Sequence, residues 1–334
     1  DSFSAFASDE YGSMVIKDEN SQAKLIDKCV DIYGYQLSVA SSIVVHYYIK
    51  IPDEIYNDDE FMISFSGTGI NTQSFSTAAG ELDGSTVSDW NYTPDGTYYR
   101  FDVEVPAACM TSEITTTISF TNNEVVMGET FSVKKYADQL SLINEKLNLG
   151  YNADELSGFV TALLNYGAAA QTYFGVNTTN LANAGLSTTV PENTNTSTAT
   201  YKEDPVGSLS FYKATLVCNA DTTLKYYFLL PSAEANLSDY TIKINDEVVP
   251  VSDIKINQNP NYFTISIPVT AKNYETKYNV TVSYQGGAFE SVCSYSVSDC
   301  VASICNSTEN ADLKNLLYAL HAYGTAAQAI NVGN

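Results

Sequence analysis

Apolar and polar residues alternate along Val45, Tyr47, Ile49 and Ile51, with His46, Tyr48 and Lys50 between them. That is the two-residue period of a half-buried strand. The pattern returns at Leu224, Tyr226, Phe228 and Leu230. Similar short runs at Phe61–Phe65, Tyr99–Val105, Thr116–Phe120 and Phe131–Val133 are separated by Gly, Asn, Asp and Pro, and together they predict an antiparallel sandwich. The period then becomes helical. Leu156, Phe159, Val160 and Leu163 match Leu313, Leu316, Leu317 and Leu320, each set forming one apolar helix face. Asn152 with Glu155 predicts an N-terminal cap, and Gly175 predicts the C-terminal stop. A shorter preceding helix carries Leu140, Ile143 and Leu147, with Val301 and Ile304 as counterparts.

These patterns occur twice because the chain is duplicated. ALLNYGAAAQ, Ala162 to Gln171, returns as ALHAYGTAAQ, Ala319 to Gln328. VHYYIKIP, from Val45 to Pro52, corresponds to LKYYFLLP, from Leu224 to Pro231, and Phe101–Pro106 to Phe263–Pro268. The expected fold is mainly β with appended helices: two tandem antiparallel, Ig-like β-sandwich units, each followed by a helical hairpin. The units are expected at 1–186 and 201–334, the second shorter, joined by a Ser/Thr/Asn-rich linker at 187–200. Gly167 and Gly324 would let a neighbouring element approach the repeated helix, and Tyr166 and Tyr323 are expected in the core. Between the anchoring prolines the first copy, at 53–105, is longer than the second, at 232–267. Trp90, the lone tryptophan, lies in this insertion, within SDWNYTPDGTYYR, and function concentrates in divergent loops more than in shared frameworks.

Charge narrows the partners. With 16 Lys and Arg against 39 Asp and Glu, the net charge of −23 repels nucleic acid, anionic lipid and anionic polysaccharide. Neutral ligands, cations and basic protein patches stay open. No apolar run reaches the length of a membrane span, so no membrane insertion is expected. Few lysines and many Tyr, Thr, Ser and Asn suggest an exported, extracellular protein displayed at a cell surface, and a start without Met suggests a trimmed chain. Of the six cysteines, Cys29 and Cys109 fall in the first copy and Cys218, Cys293, Cys300 and Cys305 in the second, at unmatched positions and without CxxC spacing. Isolated buried thiols and a disulfide within one copy both remain open.

Catalytic signals are sparse. His46 and His321 are the two histidines, and no G-x-S-x-G, H-E-x-x-H, Walker A or G-x-G-x-x-G string occurs. A Ser/His/Asp set could be picked only arbitrarily, so no enzyme, cofactor or metal is expected. Asp58, Asp59 and Glu60 lack a calcium-loop spacing and read as a solvated turn. A glycosidase needs only two carboxylates and stands as a lesser alternative. The stronger signal is aromatic. Among 25 Tyr and one Trp, Trp90, Tyr92 and Tyr98 stand beside Asp89, Asn91 and Asp95. Sugar rings offer flat C–H faces and outward hydroxyls, so a sugar site needs aromatic platforms interleaved with donors and acceptors. Along the next strand Tyr98 and Arg100 face away from Tyr99 and Phe101 and are open to a ligand. The competing reading has Trp90 plugging the end of the core under Tyr92. Tyr262, aligned with Arg100, is a weaker second-site candidate.

The β-rich unit ending in the YGAAAQ helix resembles repeats in large secreted and surface proteins of gut clostridia and ruminococci, and most of all the starch-adherence proteins of the ruminococcal amylosome. That resemblance implies a non-catalytic, carbohydrate-binding surface protein for neutral α-glucan, starch or maltooligosaccharides. It also implies a longer polypeptide that reaches a scaffold protein through regions outside this chain. A structural spacer or protein-interaction module is the alternative expectation.

Overall fold

The computed structural model describes residues 2–7, 15–17, 23–25, 30–39, 42–76, 87–93, 96–120, 123–186, 200–202, 209–218, 221–232, 235–254, 256–257, 261–284 and 289–330. The chain divides into two compact units, Asp1–Ser187 with Ala329–Asn334, and Thr188–Gln328. Most of the expected linker, 187–199, and Cys29 lie outside the described residues.

The protein is mainly β, built on antiparallel sheets with helices. The strands of the first unit are β1 (Ser2–Ala7), β2 (Val15–Lys17), β3 (Ala23–Leu25), β4 (Asp31–Val39), β5 (Ile43–Ile51), β6 (Met62–Gly67), β7 (Ile70–Ser76), β8 (Val87–Thr93), β9 (Gly96–Glu104), β10 (Ile114–Phe120) and β11 (Asn123–Phe131). One sheet runs β1-β4-β5-β9-β8 and the other β3-β2-β11-β10-β6-β7. Alternation along β5 buries Val45, Tyr47, Ile49 and Ile51, as the sequence period requires. Their neighbours from the other sheet are aromatic: Tyr47 meets Phe65 at 4.7 Å, and Tyr35 stacks on Phe131 at 4.3 Å. Phe101 of β9 packs against both Phe65 and Phe75. Burying each such side chain contributes about 1.5–3 kcal/mol.

Helices α1 (Asp53–Tyr56), α2 (Val133–Leu147) and α3 (Ala153–Phe174) belong to the first unit. The strand expected at Phe131–Val133 stops at Phe131, because the Ser132 side chain accepts from the Lys135 N–H and opens α2 instead. Asn152 caps α3 through the N–H groups of Asp154 and Glu155, and Gly175 ends it in the left-handed region at φ 70°. Leu140 and Ile143 are buried, whereas Leu147 is half exposed.

The second unit has strands β12 (Thr200–Lys202), β13 (Ser210–Cys218), β14 (Thr222–Leu229), β15 (Tyr240–Ile244), β16 (Glu247–Val249), β17 (Ile256–Asn257), β18 (Tyr262–Pro268), β19 (Tyr278–Tyr284) and β20 (Phe289–Tyr295), followed by α4 (Val297–Ser307) and α5 (Ala311–Ala329). Its sheets run β12-β20-β19-β15-β16 and β13-β14-β18-β17. Tyr226 ties them together: its hydroxyl donates to the Tyr278 carbonyl at 2.6 Å and accepts the Tyr295 N–H at 3.2 Å. Phe228 stacks on Phe263 at 5.2 Å. Helix α4 opens with a capping box between Ser296 and Asp299.

The repeated helices use their glycines in the same way. A Cβ on Gly167 would lie 2.5 Å from the Met110 Sδ, and one on Gly324 would lie 2.5 Å from the Tyr274 ring. Met110 and Tyr274 each follow a 3-10 turn, Ala107–Cys109 and Ala271–Asn273. Tyr166 and Tyr323 are buried. The register corrects one sequence match, however. Tyr47 pairs with Phe101, whereas its counterpart Tyr226 pairs with Ile265. The correspondence of Phe101–Pro106 with Phe263–Pro268 is therefore shifted by two residues, and Tyr262 stands where Tyr98 stands, not Arg100.

Candidate functional site

The insertion expected as a loop is strand β8, the edge of the β1-β4-β5-β9-β8 sheet. Ser88 pairs with Arg100, Asp89 with Tyr99, Asn91 with Tyr98 and Tyr92 with Thr97, and the register slips between Asp89 and Asn91. Trp90 is the extra residue of that irregularity in the edge strand. Asp95 lies outside the described residues.

Odd and even positions of β9 separate cleanly: Thr97, Tyr99, Phe101 and Val103 are buried, and Tyr98, Arg100 and Asp102 lie on the outer face. Across β5, Lys50 pairs with Tyr98, Tyr48 with Arg100 and His46 with Asp102. One aromatic neighbour is absent from the expected set. Tyr33 sits at a register slip in β4, is 44% exposed, and meets Tyr98 edge-on at 5.2 Å and 76°. Lys50 Nζ lies 5.8 Å from the centre of the Tyr98 ring. Two rings at nearly a right angle, flanked by an ammonium and a guanidinium, thus occupy the face next to β8. Tyr33 carries no motif, and only its contact with Tyr98 reveals it.

The polar end of the same face holds a hydrogen-bonded chain. Ser38 Oγ lies 2.8 Å from His46 Nε2, and His46 Nδ1 lies 2.6 Å from Asp102 Oδ1. Arg100 donates through its NH2 group to Asp102 Oδ2 at 3.3 Å. Its Nε is 3.0 Å from Oδ1, an ion-pair distance without hydrogen-bond alignment. Three strands bring together residues that no sequence pattern groups, and His46 has both ring nitrogens engaged. The bonding order is that of an acyl-transfer triad. Ser38 nevertheless lies within β4, next to its last residue, and pairs with Ser2 of β1 on one side and Val44 of β5 on the other, so the backbone around it belongs to ladders and not to an oxyanion site. Tyr48 closes the network by donating to Gln36 Oε1 at 2.7 Å, and burial raises its pKa.

A cleft of about 470 Å³ lies elsewhere in the first unit, between Thr68, Thr111, Ser112, Ser132 and Asn177. Buried Gln171, the last residue of the repeated string, holds its floor by reaching Thr111 Oγ1 and the carbonyls of Asn177 and Asn180. Its charges are paired, Lys134 with Asp138 and Lys135 with Glu113, each at 2.7 Å. No ring lines it. It offers hydrogen bonds without the flat apolar surface that a sugar ring covers.

Other candidates resolve as structure. His321 Nδ1 lies 3.1 Å from the Tyr274 hydroxyl, and burial lowers its pKa despite nearby Glu275. Among the described residues Cys109, Cys293, Cys300 and Cys305 form no disulfide, and burial pushes the thiols of Cys293 and Cys300 up to about 12. Among the described residues no group of His, Cys, Asp and Glu could hold a metal ion, and no helix is long and apolar enough to cross a membrane. Asp58 Oδ1 accepts the Glu60 N–H in an exposed turn. Compared with protein-family models, curated proteins and solved structures, the chain matches none of them.

Proposed function

We propose that this chain is a non-catalytic binding module for neutral α-glucan, starch or maltooligosaccharide, acting outside the cell at a bacterial surface. The observation that carries the reading is the Tyr33–Tyr98 pair on the outer face of the first unit, beside Lys50 and Arg100 and next to the strand of Trp90. Rings inclined at 76° suit a curved chain, whose successive sugars turn relative to one another; a flat ribbon calls for coplanar platforms. The Arg100–Asp102 pairing leaves the face with donors but little net charge, which suits hydroxyls better than an anion. Trp90, Tyr92, Asp89, Asn91 and Asp95 complete the proposed site. Each unit is taken as an Ig-like β-sandwich followed by a helical hairpin, a scaffold that displays such a face.

The test is calorimetric titration of the intact chain with maltoheptaose, wild type against Tyr33→Ala with Tyr98→Ala. Removing two central rings is expected to weaken this site about 30-fold or more, the scale of an interface hot spot. Undiminished binding at every site in a folded double variant would remove this face from the reading.

A further inference from the structure

The first unit's aromatic face has a counterpart that the sequence match concealed. In the first unit β4 slips between Ile32 and Gly34, leaving Tyr33 as the extra residue; in the second, β13 slips between Phe211 and Lys213, leaving Tyr212. The hairpins then run in step to their last pairs, Val39 with Ile43 and Cys218 with Thr222. A shared hydrogen bond anchors the third strand: Val105 N–H to the Ile43 carbonyl in one unit, Val269 N–H to the Thr222 carbonyl in the other, both 2.9 Å. Counted back from these valines, Tyr98 and Tyr262 occupy the same position. Tyr33, Tyr48 and Tyr98 therefore correspond to Tyr212, Tyr227 and Tyr262.

In the second unit these side chains form a platform. Tyr227 and Tyr262 lie 5.8 Å apart at 38°, and Tyr212 is 61% exposed. Lys213 Nζ sits 5.5 Å from the centre of the Tyr212 ring and 5.1 Å from that of Tyr227. Registers place Lys213, Thr215, Lys225, Thr264 and Ser266 on the same outer face of β13, β14 and β18. None of these positions carries a carboxylate, although the chain as a whole has 39 acidic residues. Tyrosines, hydroxyls and ammonium donors are the set that a neutral polyhydroxylated chain recognises.

We propose that Tyr212, Lys213, Tyr227 and Tyr262 form a second glucan site, so that the protein binds neutral α-glucan bivalently, one site on each unit. The inference rests on the function proposed above and adds a site with its own residues. Two sites on one chain increase retention on a multivalent surface such as a starch granule without new contacts.

The experiment is titration of three intact proteins with maltoheptaose: wild type, Tyr212→Ala with Tyr262→Ala, and Tyr33→Ala with Tyr98→Ala, each checked for an unchanged circular-dichroism spectrum and melting midpoint. Two equivalents are expected for wild type and one for each double variant, with Lys213→Ala weakening the second-unit site about tenfold. One equivalent in wild type, abolished by the first-unit variant and untouched by the second-unit variant, would overturn the second site and leave the first standing. Binding by none of the three would overturn the function itself. A Tyr212/Tyr262 variant that keeps two equivalents would overturn the assignment of these residues.

Discussion

Replacing Gly324 by alanine sets two effects against each other. A glycine in a helix interior lies about 1 kcal/mol above alanine, so the change gains that much in propensity. The new Cβ, however, would stand 2.5, 2.6 and 2.7 Å from Cγ, Cδ2 and Cβ of Tyr274. Tyr274 is 2% exposed and its hydroxyl is held by His321, so the ring has nowhere to move. Overpacking costs about 1–3 kcal/mol, and a rigid buried ring places this case near the upper end, for a net loss of about 2 kcal/mol. Gly158, on an exposed stretch of α3 with nothing within 4 Å of a built Cβ, is the control: Gly158→Ala is expected to gain about 0.4–1 kcal/mol. Gly167→Ala falls between, because its nearest atom is the Sδ of a bendable methionine, Met110. Urea unfolding followed by circular dichroism, with calorimetry, reads the series. For domains of this size each kcal/mol moves the melting midpoint about 2–4 °C. A Gly324→Ala protein as stable as Gly158→Ala would refute the argument that the repeated glycine exists for close approach.

Other outcomes follow from the same geometry. Burial lowers the pKa of His321 below its ordinary 6.5, so in acid the unfolded chain takes up a proton that the fold resists, and stability is lost as pH falls through that range. His321→Leu, the residue of the first copy at Leu164, should make the urea midpoint fall less between about pH 7 and about pH 5; an unchanged slope would count against it. Cys293 and Cys300, with thiols near 12 and exposures of 0% and 1%, should resist a thiolate-directed reagent until the protein unfolds, and rapid native labelling would contradict their burial. Ser38 should stay unmodified by a fluorophosphonate probe despite its bond to His46, since its neighbouring N–H groups are tied into strand pairing; mass-spectrometric detection of a Ser38 adduct would reopen the acyl-transfer reading.

What could be read from the sequence followed from periodicity. Alternation at Val45–Ile51 placed β5 and its buried face, and Asn152 and Gly175 marked the ends of α3, because each signal is local. The match around Phe101 slipped because both strands alternate with the same period, and sliding by two residues keeps every apolar residue inward. The ladder pairs Tyr47–Phe101 and Tyr226–Ile265, with the bonds from Val105 and Val269, fix the register. The same slip hid the equivalence of Tyr98 and Tyr262. Tyr33 and Tyr212 were passed over because a bulge residue breaks the alternation that singles out face residues. Ser38, His46 and Asp102 were missed because three separate strands assemble them.

The most direct test of the central claim is a titration of the fluorescence of Trp90, the single tryptophan, with maltoheptaose against a cello-oligosaccharide of equal length. A saturable change with the α-glucan alone is the predicted result. No change with either sugar, together with no heat on maltoheptaose injection in a calorimeter, would contradict the assignment of this protein as an α-glucan-binding module.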